Sequence, residues 1–143
     1  AAHQISTLDA LKDHLKGKIL IDVTVPLVPP KVGTVQLPEE GSAGKRAQDF
    51  LGEEVHVVSA FQNIAAHLLQ QDVVIECDVL VAGNSKDSRA KVIEMISEAG
   101  MTGWHAGPIA NAAAAEALTS ILIQINRGGI LSHSGIKIIG QEH

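Results

Sequence analysis

The stretch Asp78-Val-Leu-Val-Ala-Gly83-Asn84-Ser85, answered further along by Trp104-His-Ala-Gly107-Pro108-Ile-Ala-Asn111, decides how this chain is read. Each half reads as a short apolar strand that runs into a Gly turn and then a helix. That is where α/β proteins hold small ligands against exposed backbone N–H groups. Gly83 and Gly107 stand where a flat ligand could meet main chain without a Cβ in the way. A plain helix-entry turn, with Pro108 at the first position, accounts for the same local pattern. Neither G-x-G-x-x-G nor G-x-x-x-x-G-K-[ST] occurs in the 143 residues, so they carry no recognised pyrophosphate loop.

Upstream of this stretch, Thr7 to Lys16 is amphipathic at helical spacing, with Leu8, Leu11 and Leu15 on one face. Lys18-Ile-Leu-Ile-Asp-Val-Thr24 is the nearly continuous apolar run of a strand covered on both faces. Pro26, Pro29 and Pro30 open a long loop that lasts to Gly41, and Ser42 can cap the next helix. Val55 to Ser59 predicts a second strand, Asn63 to Gln70 a helix, Asp78 to Ala82 a third strand, and Lys86 to Ala99 a helix with Ala90, Val92, Ile93 and Ile96 inward. Strands alternating with helices in this way predict a mostly parallel sheet. A long helix is expected from Ile109 to Asn126. Its first half is Ala-rich, and its second half carries Leu118, Ile121, Leu122 and Ile125, a face to be buried in this domain or against a second copy. Gly135 to Ile139 can add a last strand.

Composition narrows the function classes. Eleven Lys and Arg against sixteen Asp and Glu give a net charge of -5 with no basic cluster, so affinity for nucleic acid or an anionic membrane has no visible source. The lone Cys77 excludes an internal disulfide and a Cys-rich metal site, and a reducing, cytoplasmic setting is expected. No segment reads as a membrane span or a signal peptide. The start, Ala1-Ala2-His3, has no Met, and a fragment or processed product is one reading of it.

Side chains for acid, base or nucleophile chemistry are scarce. The seven histidines lack the spacing that zinc needs, and no metal site is expected. Ser42-Ala-Gly44-Lys45 has too little of a phosphate loop to be one. Asp22 and Glu116 are the two carboxylates in apolar surroundings, and for Asp22 a turn or capping role outweighs a ligand role. No catalytic residue is nominated.

Five ordered motifs carry a resemblance: Ile21-Asp-Val-Thr-Val-Pro26-Leu-Val-Pro29, Val57-Val-Ser-Ala60-Phe-Gln-Asn63-Ile64-Ala-Ala, Cys77-Asp78-Val-Leu-Val-Ala-Gly83, Ala106-Gly107-Pro108-Ile-Ala-Asn111 and Glu116-Ala-Leu118-Thr119-Ser-Ile-Leu-Ile. Together they resemble the C-terminal two-thirds of the deazaflavin-dependent NADP oxidoreductases. The resemblance implies an α/β fold in which residues 1–59 close a Rossmann-like dinucleotide-binding domain and residues 60–143 form a small deazaflavin-binding and dimerisation domain. It also implies NADP and the deazaflavin coenzyme F-420 as cofactors, direct hydride transfer between them, and a homodimer. By the same resemblance Val25, Pro26 and Leu27 with Asn63 and Ile64 border the rings, Ile64 being the apolar spacer. Gly83, Gly107, Pro108 and Asn111 complete the cofactor-binding set. Gln62 and Ala65 depart from the family pattern, where His and Pro are frequent, and so does Ala112-Ala-Ala-Ala, where bulkier or charged residues are common. A relative with a different acceptor and a non-catalytic dimerisation or ligand-binding remnant remain the other readings.

Overall fold

Ile19–Asp22 (β1) and His56–Ser59 (β2) pair in parallel, with Asp22 opposite Ser59. The computed structural model describes residues 3–143, so Ala1 and Ala2 lie outside the described residues. Asp78–Gly83 (β3) and Thr102–His105 (β4) also pair in parallel. The two halves meet in an antiparallel join of β2 with β3, registered as Val58 opposite Gly83 and Ser59 opposite Ala82. The sheet order is therefore β1-β2-β3-β4. The mostly parallel α/β sheet expected from the alternation is present, with this one reversal inside it.

Both faces of the sheet are covered, which is why its central strands are runs of Val rather than alternating patterns. On one face, Val57 and Ala82 pack with Leu8 of Gln4–Leu15 (α1) and with Ala47 and Leu51 of Ala43–Leu51 (α2). Ile109 of a short 3-10 turn, and Ala112 at the start of the long helix Ala112–Arg127 (α5), complete that core. On the other face, Val58, Val79 and Val81 pack against Val92 and Ile96 of Lys86–Glu98 (α4), with Ile64 and Met101 alongside. Ser42 caps α2 as its sequence position predicts, its Oγ accepting from Lys45 N at 2.9 Å. Gln48 ties α2 to the sheet, accepting from Val57 N and donating to the Gly52 and Val55 carbonyls.

Four local expectations give way to specific contacts. The segment from Asn63 is helical only over Ala66–Leu69 (α3), because the Asn63 side chain is drawn across to α5, where Nδ2 donates to Ala115 O at 2.9 Å and Thr119 Oγ1 at 3.2 Å. Ala90 is exposed, whereas Ser88 turns fully in, its Oγ 2.7 Å from His56 Nδ1 at the polar start of β2. Leu11 faces solvent, the arc of α1 that meets the core being Ile5, Leu8 and Leu15. Residues 135–139 form no strand. Asp78 N does donate to Ile136 O, but Ile138 N donates to the Asp78 carboxylate rather than to a backbone carbonyl, and a ladder interrupted by a side chain does not propagate.

The antiparallel join is tight as well as short. A Cβ on Gly83 would stand 3.0 Å from the Val57 carbonyl oxygen and 3.3 Å from Val58 Cγ2, and the backbone between them cannot yield as a flexible side chain would. Gly83→Ala is expected to lower stability by roughly 1–3 kcal/mol. Urea denaturation of the two proteins checks this, and an unchanged midpoint would mean that the join is looser than its register implies.

Candidate functional site

The exits of β1 and β2 open side by side. β3 runs against β2 and begins beyond its end, and the segments after β1 and β2 both leave the sheet there as loops. Between the exits lies a groove of about 450 Å³, lined by Val23 and Val25 from the first exit and by Phe61, Gln62 and Ile64 from the second. Leu69 and Met101 are among the residues that close its far side. The lining is apolar apart from Gln62. Asp22, at the end of β1, does not face a ligand as a free carboxylate. Its Oδ1 accepts from Thr24 N at 2.8 Å and Thr24 Oγ1 at 2.7 Å, and its Oδ2 accepts from Gln4 Nε2 at 2.7 Å, the turn role its position predicts.

The residues nominated from sequence fall into two groups. Val25 and Ile64 share the groove, and Asn63 sits directly beside it with its side chain committed to α5. Pro26 and Leu27 lie next to Val25 but turn toward Gln36, Leu37 and Arg46. Gly83, Gly107, Pro108 and Asn111 form the other group. β3 and β4 run against β1 and β2, so their C-terminal turns lie toward the start of β2, away from the groove. There Gly83 N donates to Gly107 O at 3.0 Å, and Arg89 Nη1 donates to both carbonyls. Asn111 Nδ2 donates to Ala106 O at 2.7 Å, under Gly107 at φ +94, where a Cβ would stand 2.6 Å from that same Nδ2. Pro108 precedes the 3-10 turn, whose Ile109 N donates to Asn84 Oδ1. This second group thus builds the entry to α5.

Val23, Phe61, Leu69 and Met101 were not legible as groove residues. Nothing in their spacing announces that two strand exits and the start of β4 converge. Gln62 had a signal, since it departs from the resembling pattern. No group of three or more His, Cys, Asp or Glu that could hold a metal ion occurs among the described residues.

No family model matches the chain. It is 33% identical over 145 aligned positions to the F420-dependent NADP reductase of Methanocaldococcus jannaschii, covering 98% of this chain and 65% of that protein. The F420-dependent NADP reductase of Methanothermobacter thermautotrophicus is 35% identical, with 94% of this chain and 61% of that one covered. In three dimensions the chain superposes on the crystal structure of a putative F420-dependent NADP reductase from Arthrobacter sp. FB24 with a TM-score of 0.82, at 26% identity, covering 97% of this chain and 65% of the other. The chain is homologous to the F420-dependent NADP reductases. It spans less than two-thirds of the length of these relatives. A hypothetical protein from Sinorhizobium meliloti, 20% identical with a TM-score of 0.57, covering 73% of this chain and 55% of its own, shares the fold alone.

Away from the groove, one buried carboxyl is held in a defined setting. Glu116, on α5, is 1% exposed, and its carboxylate sits at the N-terminus of α2, where Oε1 accepts from Ala43 N at 2.6 Å and Oε2 from Gly44 N at 3.1 Å. Gly44 leaves room for it, since a Cβ there would press on Ile109 and Ala112 and come within 3.5 Å of Oε2. Burial pushes the Glu116 carboxyl up to about 7, against the two backbone N–H groups, which lower it. The Asp22 charge adds to the rise and Arg46 opposes it. A carboxyl whose folded value is raised favours its neutral form in the folded state, so the native protein holds the proton more tightly than the unfolded chain. Stability from this group is therefore greatest at low pH and falls as pH rises from about 4.5 to about 7. Relative to Glu116→Gln, the native chain should lose on the order of 2 kcal/mol across that window. Urea denaturation at both ends of the window is the measurement, and two parallel stability curves would refute the assignment.

Proposed function

We propose that this chain is part of an oxidoreductase that transfers a hydride between NADP(H) and the deazaflavin coenzyme F-420, and that the groove at the exits of β1 and β2 is where it borders the reacting rings. The observation that carries the reading is the groove itself: an apolar recess with a single polar lining residue, Gln62, whose Oε1 is buried without a hydrogen-bond partner. Apolar walls with one unsatisfied acceptor suit a flat heterocycle with a polar edge. The homology, 33% and 35% identity across nearly the whole chain, supports the same reading.

Hydride transfer between nicotinamide and deazaflavin draws its reactivity from the cofactors, so the protein's part is orientation and the exclusion of water. In this reading Val25 and Ile64 form the apolar walls, and Asn63, tied to α5, fixes where Ile64 stands. Pro26 and Leu27 shape the neighbouring rim. Gly83, Gly107, Pro108 and Asn111 act from a distance by fixing the start of α5, the helix to which Asn63 is anchored. The proposed division into residues 1–59, closing a Rossmann-like unit, and residues 60–143 falls where the parallel pair β1-β2 gives way to the antiparallel join. No helix among the described residues is long and apolar enough to cross a membrane. A cytoplasmic setting belongs to the proposal.

Titrating coenzyme F-420 into the intact protein and following its fluorescence tests the reading. Saturable micromolar binding is expected, and no binding at millimolar concentration would overturn it. Ile64→Ala should keep the fold at a cost of roughly 2–5 kcal/mol in stability, and should slow hydride transfer by about tenfold or more, because an apolar spacer has been cut back and ring placement loosened. Single-turnover stopped flow with both cofactors saturating decides the point, an unchanged rate removing the spacer role.

A homodimer through α5 is the remaining part of the proposal. Leu122 turns inward, whereas Ile121 and Ile125 are 50% and 44% exposed on the outer face. Burying a charge there without a partner costs several kcal/mol. Ile121→Glu is therefore expected to convert dimer to monomer, read by sedimentation velocity. A native protein that sediments as a monomer at tens of micromolar would end this part of the proposal.

A further inference from the structure

Among the described residues, the buried side-chain polar atoms without a hydrogen-bond partner are Ser59 Oγ and Gln62 Oε1, and both lie on the same exit from β2. Phe61, between them, has φ +71, a conformation that costs a non-Gly residue free energy and that clusters at ligand sites. The Gln62 amide cannot relieve itself by turning over, because its Nε2 donates to Asp22 O at 2.8 Å and a turned amide would set oxygen against oxygen. The oxygen left over is an acceptor only, shut off from solvent, on a residue that lines the apolar groove. Leaving such an acceptor unpaired is unfavourable, and a donor that reaches it recovers the loss.

Resting on the proposed function, we infer that Gln62 is a specificity-determining residue whose Oε1 accepts a hydrogen bond from an N–H on the edge of a flat heterocycle in the groove. Reaching it takes a small shift of the Phe61-Gln62 turn, and the strain at Phe61 makes that shift easier than one from relaxed backbone. Two sources supply this chemistry: the imide N–H of the deazaflavin ring and the carboxamide N–H of nicotinamide. An acceptor-only oxygen discriminates against analogues in which that hydrogen is missing, since the site is then left unpaired.

The test compares ligands that differ at that one group, on the intact protein. One arm measures dissociation constants for coenzyme F-420 and its imide-N-methyl derivative by fluorescence. The other uses NADP and its 3-acetylpyridine analogue, in which a methyl ketone replaces the carboxamide, by calorimetry. The native protein should prefer the N–H ligand by roughly tenfold in one arm, which names the source. Gln62→Met, similar in length but without the acceptor, should lose that preference. If Gln62→Met does not fold, the native protein decides alone: no preference in either arm overturns the inference. Equal preference in the native and Met proteins overturns it too and leaves the proposed function standing. Failure of the native protein to bind either parent cofactor overturns both.

Discussion

The antiparallel join of β2 with β3 is the constraint on which the rest of the structure depends. Had β3 paired in parallel, its C-terminal turn would open at the same end as those of β1 and β2, and the Gly turns after β3 and β4 would face the groove. Reversed, β3 and β4 send Gly83 and Gly107 toward the start of β2, and α5 sets out from there. That helix then travels back past the N-terminus of α2, where Glu116 meets Ala43 and Gly44, to the β2 exit, where Ala115 and Thr119 hold Asn63. One helix therefore links the turn cluster to the groove, and its inward polar residues are the links.

Those polar links explain why an apolar helix carries a buried Glu. The first N–H groups of α2 have no intrahelical partners, and Ser42 satisfies one of them from within its own chain segment. Glu116 satisfies two more from a distant one. The arrangement places negative charge where the helix dipole favours it, yet burial still dominates and raises the carboxyl toward neutrality. The helix junction thus depends on a group whose ionisation is opposed by its own surroundings.

The features legible in the sequence are the local ones. The strands at Ile19, His56 and Asp78, the Ser42 cap and the turn role of Asp22 all rest on neighbours within a few residues, and all are present. The direction of β3 was not legible, because nothing in Asp78 to Gly83 records which way it runs beside β2. Nor was the shortening of the helix after Asn63, which is set by Ala115 and Thr119 far along the chain. The last strand failed for a reason that periodicity does not see: the Asp78 carboxylate takes the Ile138 N–H that a ladder would need. At the groove, Val25 and Ile64 came from resemblance, whereas Val23, Phe61 and Met101 came only from the packing of separate segments.

In the proposed function the site works by orientation, which makes an unusual demand on its walls. Acid-base catalysis tolerates a polar, wet recess, but two rings that must meet face to face require surfaces with fixed shape and little competing hydrogen bonding. Ile64 and Met101 stand on loop segments but are both buried in the core that α4 shares with the sheet, so this part of the groove's wall is an outward extension of packed interior. Close-packed interiors resist deformation, and a wall continuous with one inherits that stiffness. The scarcity of catalytic side chains and the apolar character of the recess are then two aspects of one requirement, and the single polar wall residue is where selectivity can be placed without softening the rest.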